Sequence, residues 1–541
     1  MKSVHIGRIC GSASAQLSEI LSEISADTEI IFDADSYYFD RPVLITDKSN
    51  VIINGNGSTF VAHFDRKAYT DKSTDIFHFD RCGNLKLCGF TVDSDVPTNV
   101  AGKIIRHEGN ETDVQLYPSV PLDGDEMFIS SMTFEDDMTP TCGSFVSAQP
   151  DPNIRTLIAG EIPCTNPAKL NAPHKMIGDQ LFRINAYCVE GDMTHAKCNI
   201  SHSYYGLTAV IFRNCDNVTV EDIHFANYGG FAFAILPRCR DFTFRRLRFA
   251  SKDPEHQPFS INADGIHITG LTGKITVEDC WFEQLGDDCI NLHTHVMSVK
   301  ELTDGGARII YDKIGGKIAP EWGLKGDKLR VYNSDTLDFK GYAVIDSFKD
   351  GVVTVDGDSV ALLPGDLITN EAFFPEFEAT RCVAKNCRSR PFVIQSTNKA
   401  RISDCDFYGC GPAVYISAAF RIWLEAGPAK NIEIIGNRFH RTSPRGKNTG
   451  DIFIRIAEDP DSNMWHKHEN ILIKDNVFEN VPFYPIWVYA ADNVKIFNNT
   501  FKDCNGGEGD IHILNCTETV ISDNCSYRNG KPSDVVVRDD I

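Results

Sequence analysis

Polar and apolar positions alternate over short stretches along this chain, and many of the stretches end alike. The phrase reads NVTVEDIHF at Asn217–Phe225, KITVEDCWF at Lys274–Phe282 and ARISDCDF at Ala400–Phe407. It returns as NIEIIGNRF at Asn431–Phe439, NILIKDNVF at Asn470–Phe478 and NVKIFNNTF at Asn493–Phe501, with a shortened copy at Glu518–Asn524. Weaker copies open at Asn50 and Asn84. Alternation over four to six residues predicts a strand with one buried face. Asn470 and Asn493 lie 23 residues apart, and Asn493 and Glu518 lie 25 apart; other gaps are longer by the length of a loop. A period in the low twenties predicts stacked coils, with the recurring Asn laddered at the turns and the closing Phe stacked inside. The fold expected is all-β, a right-handed parallel β-helix. A β-propeller would need a period near forty and blade signatures that the chain does not carry.

Two stretches break the rhythm. Between about 93 and 195, Asp, Pro and Thr are frequent and strand patterns are scattered, as at Thr112–Tyr117. Between about 296 and 375, short strands are separated by turn signals at Asp304–Gly306, Gly315–Lys317, Asp350–Gly351 and Asp356–Gly357. Both read as small β-barrels or sandwiches inserted between coils. The division expected is 1–92 for the cap and first coils, 93–195 for the first insertion and 196–295 for the central coils. The second insertion then takes 296–375 and the last coils 376–541. Near the start, Leu17, Ile20, Leu21 and Ile24 recur at helical spacing, which predicts a helix capping the open end of the coil.

Composition narrows the partners. Lys and Arg number 53 against 75 Asp and Glu, a net charge of −22, which speaks against nucleic acid, anionic membranes and polyanionic substrates. No uninterrupted apolar run is long enough to span a bilayer. None of the 18 cysteines forms a C-x-x-C pair, and many fall inside strand-like segments, so they are expected as small interior residues. Reduced cysteines in this number, and an N-terminal stretch without a signal peptide's apolar core, suggest a cytoplasmic protein, or a secreted one whose leader has been removed.

The candidate chemistry lies in INADGIH around Asp264 and LGDDCINLH around Asp287 and Asp288. Asp264 and Asp287 are 23 positions apart, the shortest spacing seen between copies of the repeated phrase. With coils about 4.8 Å apart, these two are expected nearly one above the other, Asp288 beside them. Carboxylates so close cannot all ionise cheaply, so one is expected to keep its proton and serve as an acid beside an ionised base. Such a pair is the usual equipment for breaking a glycosidic bond. An acidic ladder on a solvated turn, or a calcium site, is the competing reading. His267 is expected to partner Asp264 rather than bind a metal. His293 shares a strand face with Asn291 and suits a sugar hydroxyl or a structural turn equally. No His/Cys set has zinc spacing, so neither metal nor cofactor is expected.

These residues resemble glycoside hydrolase family 110, the exo-acting α-1,3-galactosidases, whose pattern is Ala-Asp-x-x-His followed by Asp-Asp-Ala-x-Asn-x-His. Trp423–Gly427 (WLEAG) is similar to the family's Trp-x-Glu-Ser-Gly, and Arg388–Arg390 (RSR) to its Arg-x-Arg-Gly. The two insertions match its two small barrels in position. Gly265-Ile266, Cys289 and Pro391 depart from the pattern. A more distant likeness is to family 28, the polygalacturonases, although their Gly-His and Arg-x-Lys motifs are missing from the expected places.

The resemblance implies inversion at the anomeric carbon, with Asp287 as the acid and Asp264 and Asp288 positioning the attacking water. Glu425 would hold a pair of hydroxyls. Trp423 would stack on a sugar face or lie in the core, and Arg388 and Arg390, alternating outward on a strand, would bind substrate or form a surface pair. The substrate expected is an oligosaccharide or glycoconjugate with a terminal α-1,3-linked galactose, extending to a fucosylated, blood-group-B-like trisaccharide. A hydrolase or lyase on another sugar such as galacturonate, and a non-catalytic carbohydrate-binding β-helix, are the alternatives. Homo-oligomerisation stays open.

Overall fold

The computed structural model describes the chain except residues 25, 65–74, 109–110, 118–130, 137–155, 160–173, 186–196, 203–207, 312–317, 422, 443–448, 457–467, 505–508 and 540–541; for 131–136, 156–159 and 185 the backbone alone is described. The chain coils as a right-handed parallel β-helix. One wall is a twelve-stranded parallel sheet running from Val43–Thr46 through Ile266–Thr269, Ile290–His293, Phe392–Ile394 and Val414–Ala418 to Val537–Arg538. The remaining walls form one 24-stranded sheet, to which a typical coil gives a longer strand, a corner and a short strand, as in Thr272–Glu278 and Trp281–Glu283.

The repeated phrase writes this corner. Asp279, Asp404, Asp475 and Asn498 sit at the bend with φ between 54° and 58°, a left-handed conformation that Asp and Asn tolerate better than most residues. The next residue points inward. There Asn437, Asn476, Asn499 and Asn524 form a ladder, each side-chain oxygen accepting from the amide of the preceding coil at 3.0 Å. In earlier coils the same place holds Cys280, Cys382 and Cys405, buried and free. The closing Phe stacks: Phe407, Phe439, Phe478 and Phe501 lie 4.6–5.3 Å apart and nearly parallel. A second Asn ladder runs exposed at the strand starts, through Asn431, Asn470 and Asn493.

The helix Ala13–Glu23 buries Leu17 and Leu21 against the first coils, with Ser12 accepting from the Ser14 amide as its N-cap. Among the described residues, the first insertion is a seven-stranded antiparallel sheet. Its strand Lys197–Ser201 lies beyond the boundary expected at 195, because it pairs with Asn99–Glu108 rather than with a coil. The second is a closed six-stranded barrel between Met297 and Asn370, with its own apolar core. The turn expected at Gly315–Lys317 lies outside the described residues. The barrel leaves the β-helix directly after the Ile290–His293 strand, so one coil step from that strand to Phe392–Ile394 spans 102 positions of sequence.

Candidate active site

The outward face of the twelve-stranded sheet carries the candidate residues. Its inward positions, Ile266, Ile268, Ile290 and Leu292, are fully buried in the helix core, which fixes the alternation and turns His267, Thr269, Asn291 and His293 outward. Ile266 pairs with Ile290, a step of 24 residues, so Asp264 falls opposite Asp288 and Ala263 opposite Asp287. The one-above-the-other pair is therefore Asp264 and Asp288, not Asp264 and Asp287. The 23-residue spacing seen elsewhere does not hold for this coil. The next step places Arg390 opposite Asp288. Two glycines permit the close approach of backbone here. A Cβ on Gly265 would lie 2.6 Å from the Cys289 carbonyl oxygen, and one on Gly286 would lie 2.5 Å from that of Asn262.

One oxygen from each of Asp264, Asp287 and Asp288 lies within 4.8 Å of the others, and Asp264 and Asp288 are buried. Burial pushes the Asp264 carboxyl up to about 7; the Asp287 charge adds to this and the bond to His267 opposes it. Burial also raises Asp288, against the pull of Arg390. The like-charge repulsion expected from sequence is present, but loss of water is the larger cause. His267 Nδ1 lies 2.8 Å from Asp264 Oδ2. Burial disfavours the imidazolium, yet the bond to Asp264 and the charges of Asp264, Glu425 and Asp288 together outweigh it, and the His267 pKa rises.

The arginines answer the other two carboxylates. Arg390 donates Nε and Nη2 to the two oxygens of Asp288 at 3.0 and 2.8 Å, and its backbone N–H donates to Oδ1 at 3.1 Å. Its guanidinium also covers the Tyr415 ring at 4.9 Å. Arg388 Nη2 lies 3.3 Å from Asp287 Oδ2, and its Nε donates to the Gly286 carbonyl. Neither arginine is on a strand: both precede Phe392–Ile394, in the turn that stacks on Gly286–Asp288. Three acidic oxygens this close are spaced to hold a divalent cation. Two of the three already face an arginine, which lowers the field a cation would feel.

At the other edge of the face, His293 is 1% exposed, its nitrogens 3.2 Å from Asn291 Oδ1 and 3.1 Å from Thr269 Oγ1. Glu425 Oε1 lies 3.9 Å from His293 Nε2. Backbone bonds hold it there: Glu425 and Ala419 exchange amide bonds, and the Val296 amide donates to the Leu424 carbonyl. Trp423 beside it is 55% exposed, so it does not lie in the core. The barrel closes this edge, with Tyr332 packed on Phe420 and Tyr311 stacked on His295 at 4.3 Å. A row of rings thus runs from Phe231 through His267, His293 and His295 to Tyr311, with neighbouring centroids 4.3–5.4 Å apart.

Nine of the ten candidate residues therefore converge on one face, with the carboxylates and arginines on one side and Glu425 on the other; Trp423 lies exposed two residues before Glu425. Sequence reasoning missed Tyr311, His295 and Tyr415. The alternation of VYIS in the coil after Arg390 was the available signal for Tyr415. For Tyr311 there was none, because a barrel strand delivers it.

The model of the family described as Glycosyl hydrolases family 28 matches residues 195–305, which include the three carboxylates. The chain is 24% identical over 331 residues to "Alpha-1,3-galactosidase B" of Akkermansia muciniphila, covering 58% of this chain and 41% of that protein. It is 22% identical over 548 residues to "Alpha-1,3-galactosidase B" of Bacteroides thetaiotaomicron, covering 92% of this chain and 83% of the relative. Among solved structures, the Streptococcus pneumoniae surface protein and adhesin PfbA matches with a TM-score of 0.44 at 11% identity, over 99% of each chain. Both likenesses drawn from the motifs are thus found, that to the α-1,3-galactosidases over most of the chain and that to family 28 over residues 195–305.

Proposed function

We propose that this protein is a glycoside hydrolase that releases single, terminal α-1,3-linked galactose units. The observation that carries it is the convergence of Asp264, Asp287 and Asp288, held by His267, Arg388 and Arg390, in a chain similar over most of its length to proteins named α-1,3-galactosidase. Asp264 and Asp288, opposite one another on successive coils, suit the paired acceptors that orient a water once Asp264 has lost its proton, above about pH 7. Asp287, the more exposed of the three, faces the leaving oxygen as proton donor.

Inversion is proposed from the likeness alone. The 4.8 Å limit on the nearest oxygens lies below the roughly 6.5–9.5 Å between carboxyl groups common in inverting enzymes. That spacing favours a second reading, displacement through a covalent intermediate. The walled edge formed by the barrel, Glu425 and Trp423 supports action at chain ends.

The test is to incubate the protein with α-1,3-galactosides, a fucosylated blood-group-B-like trisaccharide and polygalacturonate, sizing the products and following the anomers by proton NMR. Galactose alone, first seen as the β-anomer, is the expected result. Early α-galactose would establish the second reading. Oligomers or galacturonate from the polymer would overturn the substrate assignment.

A further inference from the structure

We propose that Gln395 is a binding residue of this site and reads one hydroxyl of the sugar held at the carboxylates. The inference rests on the glycosidase reading above and adds a specificity contact to it.

The sheet register lays the outward face out as a grid. His267, Asn291, Val393 and Tyr415 follow one another on successive coils, and beside them run Thr269, His293, Gln395 and Ser417. Steps between coils are about 4.8 Å, and steps between alternate residues on one strand about 6.6 Å. A sugar held at Asp264 and Asp288 and reaching towards Glu425, which lies against His293, lies along the rows of Asn291 and His293. Gln395 then stands in its far wall, one coil beyond His293.

The Gln395 side chain is not satisfied by the protein. It is 2% exposed, and its Nε2 lies 3.4 Å from Ser417 Oγ, at the outer limit of a hydrogen bond. Its Oε1 has no partner among the described residues. Turning the amide over changes which atom is unmatched and leaves one unmatched all the same. Buried polar atoms are nearly always paired, so an orphan beside a ligand face marks a bond that the ligand supplies. Thr294 Oγ1 and Ser396 Oγ, on the same two coils, are also buried without partners among the described residues. Their short side chains follow the strand ends, whereas the three-carbon reach of Gln395 starts from the row that holds His293.

The test uses the full chain and a series of aryl α-galactosides lacking the hydroxyl at C2, C3, C4 or C6. Gln395→Leu removes the amide while keeping an apolar chain of similar bulk, and Gln395→Met is its control. For the parent galactoside, kcat/KM is expected to fall about tenfold to a hundredfold. For one deoxy substrate the variant should match the wild type, because the bond is already missing, while the other deoxy positions keep their wild-type costs. Equal losses on every substrate would assign the amide to a buried water or to the fold, and would overturn the inference. So would an unchanged rate, or failure of both variants to fold. A wild type inactive on the parent galactoside would instead remove the galactosidase reading, and this inference with it.

Discussion

At the scale of single residues, Asp264 is held where the fold alone would not choose to put it. Its carboxyl is out of water and beside two others, so the neutral acid is favoured and the pKa stands at about 7. In the unfolded chain an Asp titrates near 3.9. A folded-state pKa above the unfolded one contributes stability that is complete below about pH 4 and is lost as pH rises towards 7. Asp264→Asn cannot ionise, and its side-chain oxygen can still accept from His267. The variant should therefore be inactive yet melt several degrees above the wild type at pH 8, with the gap closing towards pH 4. A lower melting temperature at pH 8 would mean that the pair with His267 outweighs burial.

Much at this scale was legible in the sequence, since Asp264, Asp287, Asp288 and His267 stand in two short phrases. The roles of the arginines were not. Arg388 and Arg390 lie 102 positions beyond Gly286 and Asp288, and only the stacking of coils on either side of the inserted barrel brings them back.

At the scale of elements, the repeated phrase was readable because each of its letters has a mechanical task. The alternation buries one face, the Asp or Asn turns the corner with positive φ, the next residue ladders inside and the Phe stacks. Sequence alone did not separate the two Asn ladders, one buried and one exposed. Their energies should differ. Asn476 is fully buried, accepts from the Asn437 backbone and side chain at 2.9 and 3.0 Å, and donates to the Ile434 carbonyl at 2.9 Å. Asn476→Ala strands those groups at about 1–3 kcal/mol each, whereas Asn493→Ala at the exposed ladder should cost under about 1 kcal/mol, water replacing the bond. Thermal melts of the two variants check this; equal shifts would contradict it. Register was the other hidden quantity. One residue separates a coil of 23 from a coil of 24, and it decides which carboxylate faces Asp264.

At the scale of the whole molecule, the β-helix supplies a rigid grid and the barrel turns one face of it into a walled site. Turn signals announced the barrel, but its closure and its contact with the Trp423–Glu425 segment depend on packing across distant parts of the chain. The insertion point could be read, directly after His295, and it explains why one edge of the face is enclosed.

The central claim is that Asp287 gives a proton to the leaving oxygen, and Asp287→Asn tests it most directly. Turnover should be compared on an α-1,3-galactosyl disaccharide and on an aryl galactoside whose leaving group is acidic enough to depart unaided. Loss of a proton donor should slow the disaccharide by roughly a hundredfold to ten-thousandfold and the activated glycoside far less, with the melting temperature unchanged. Near-normal cleavage of the disaccharide, or equal losses on both substrates, would contradict that role.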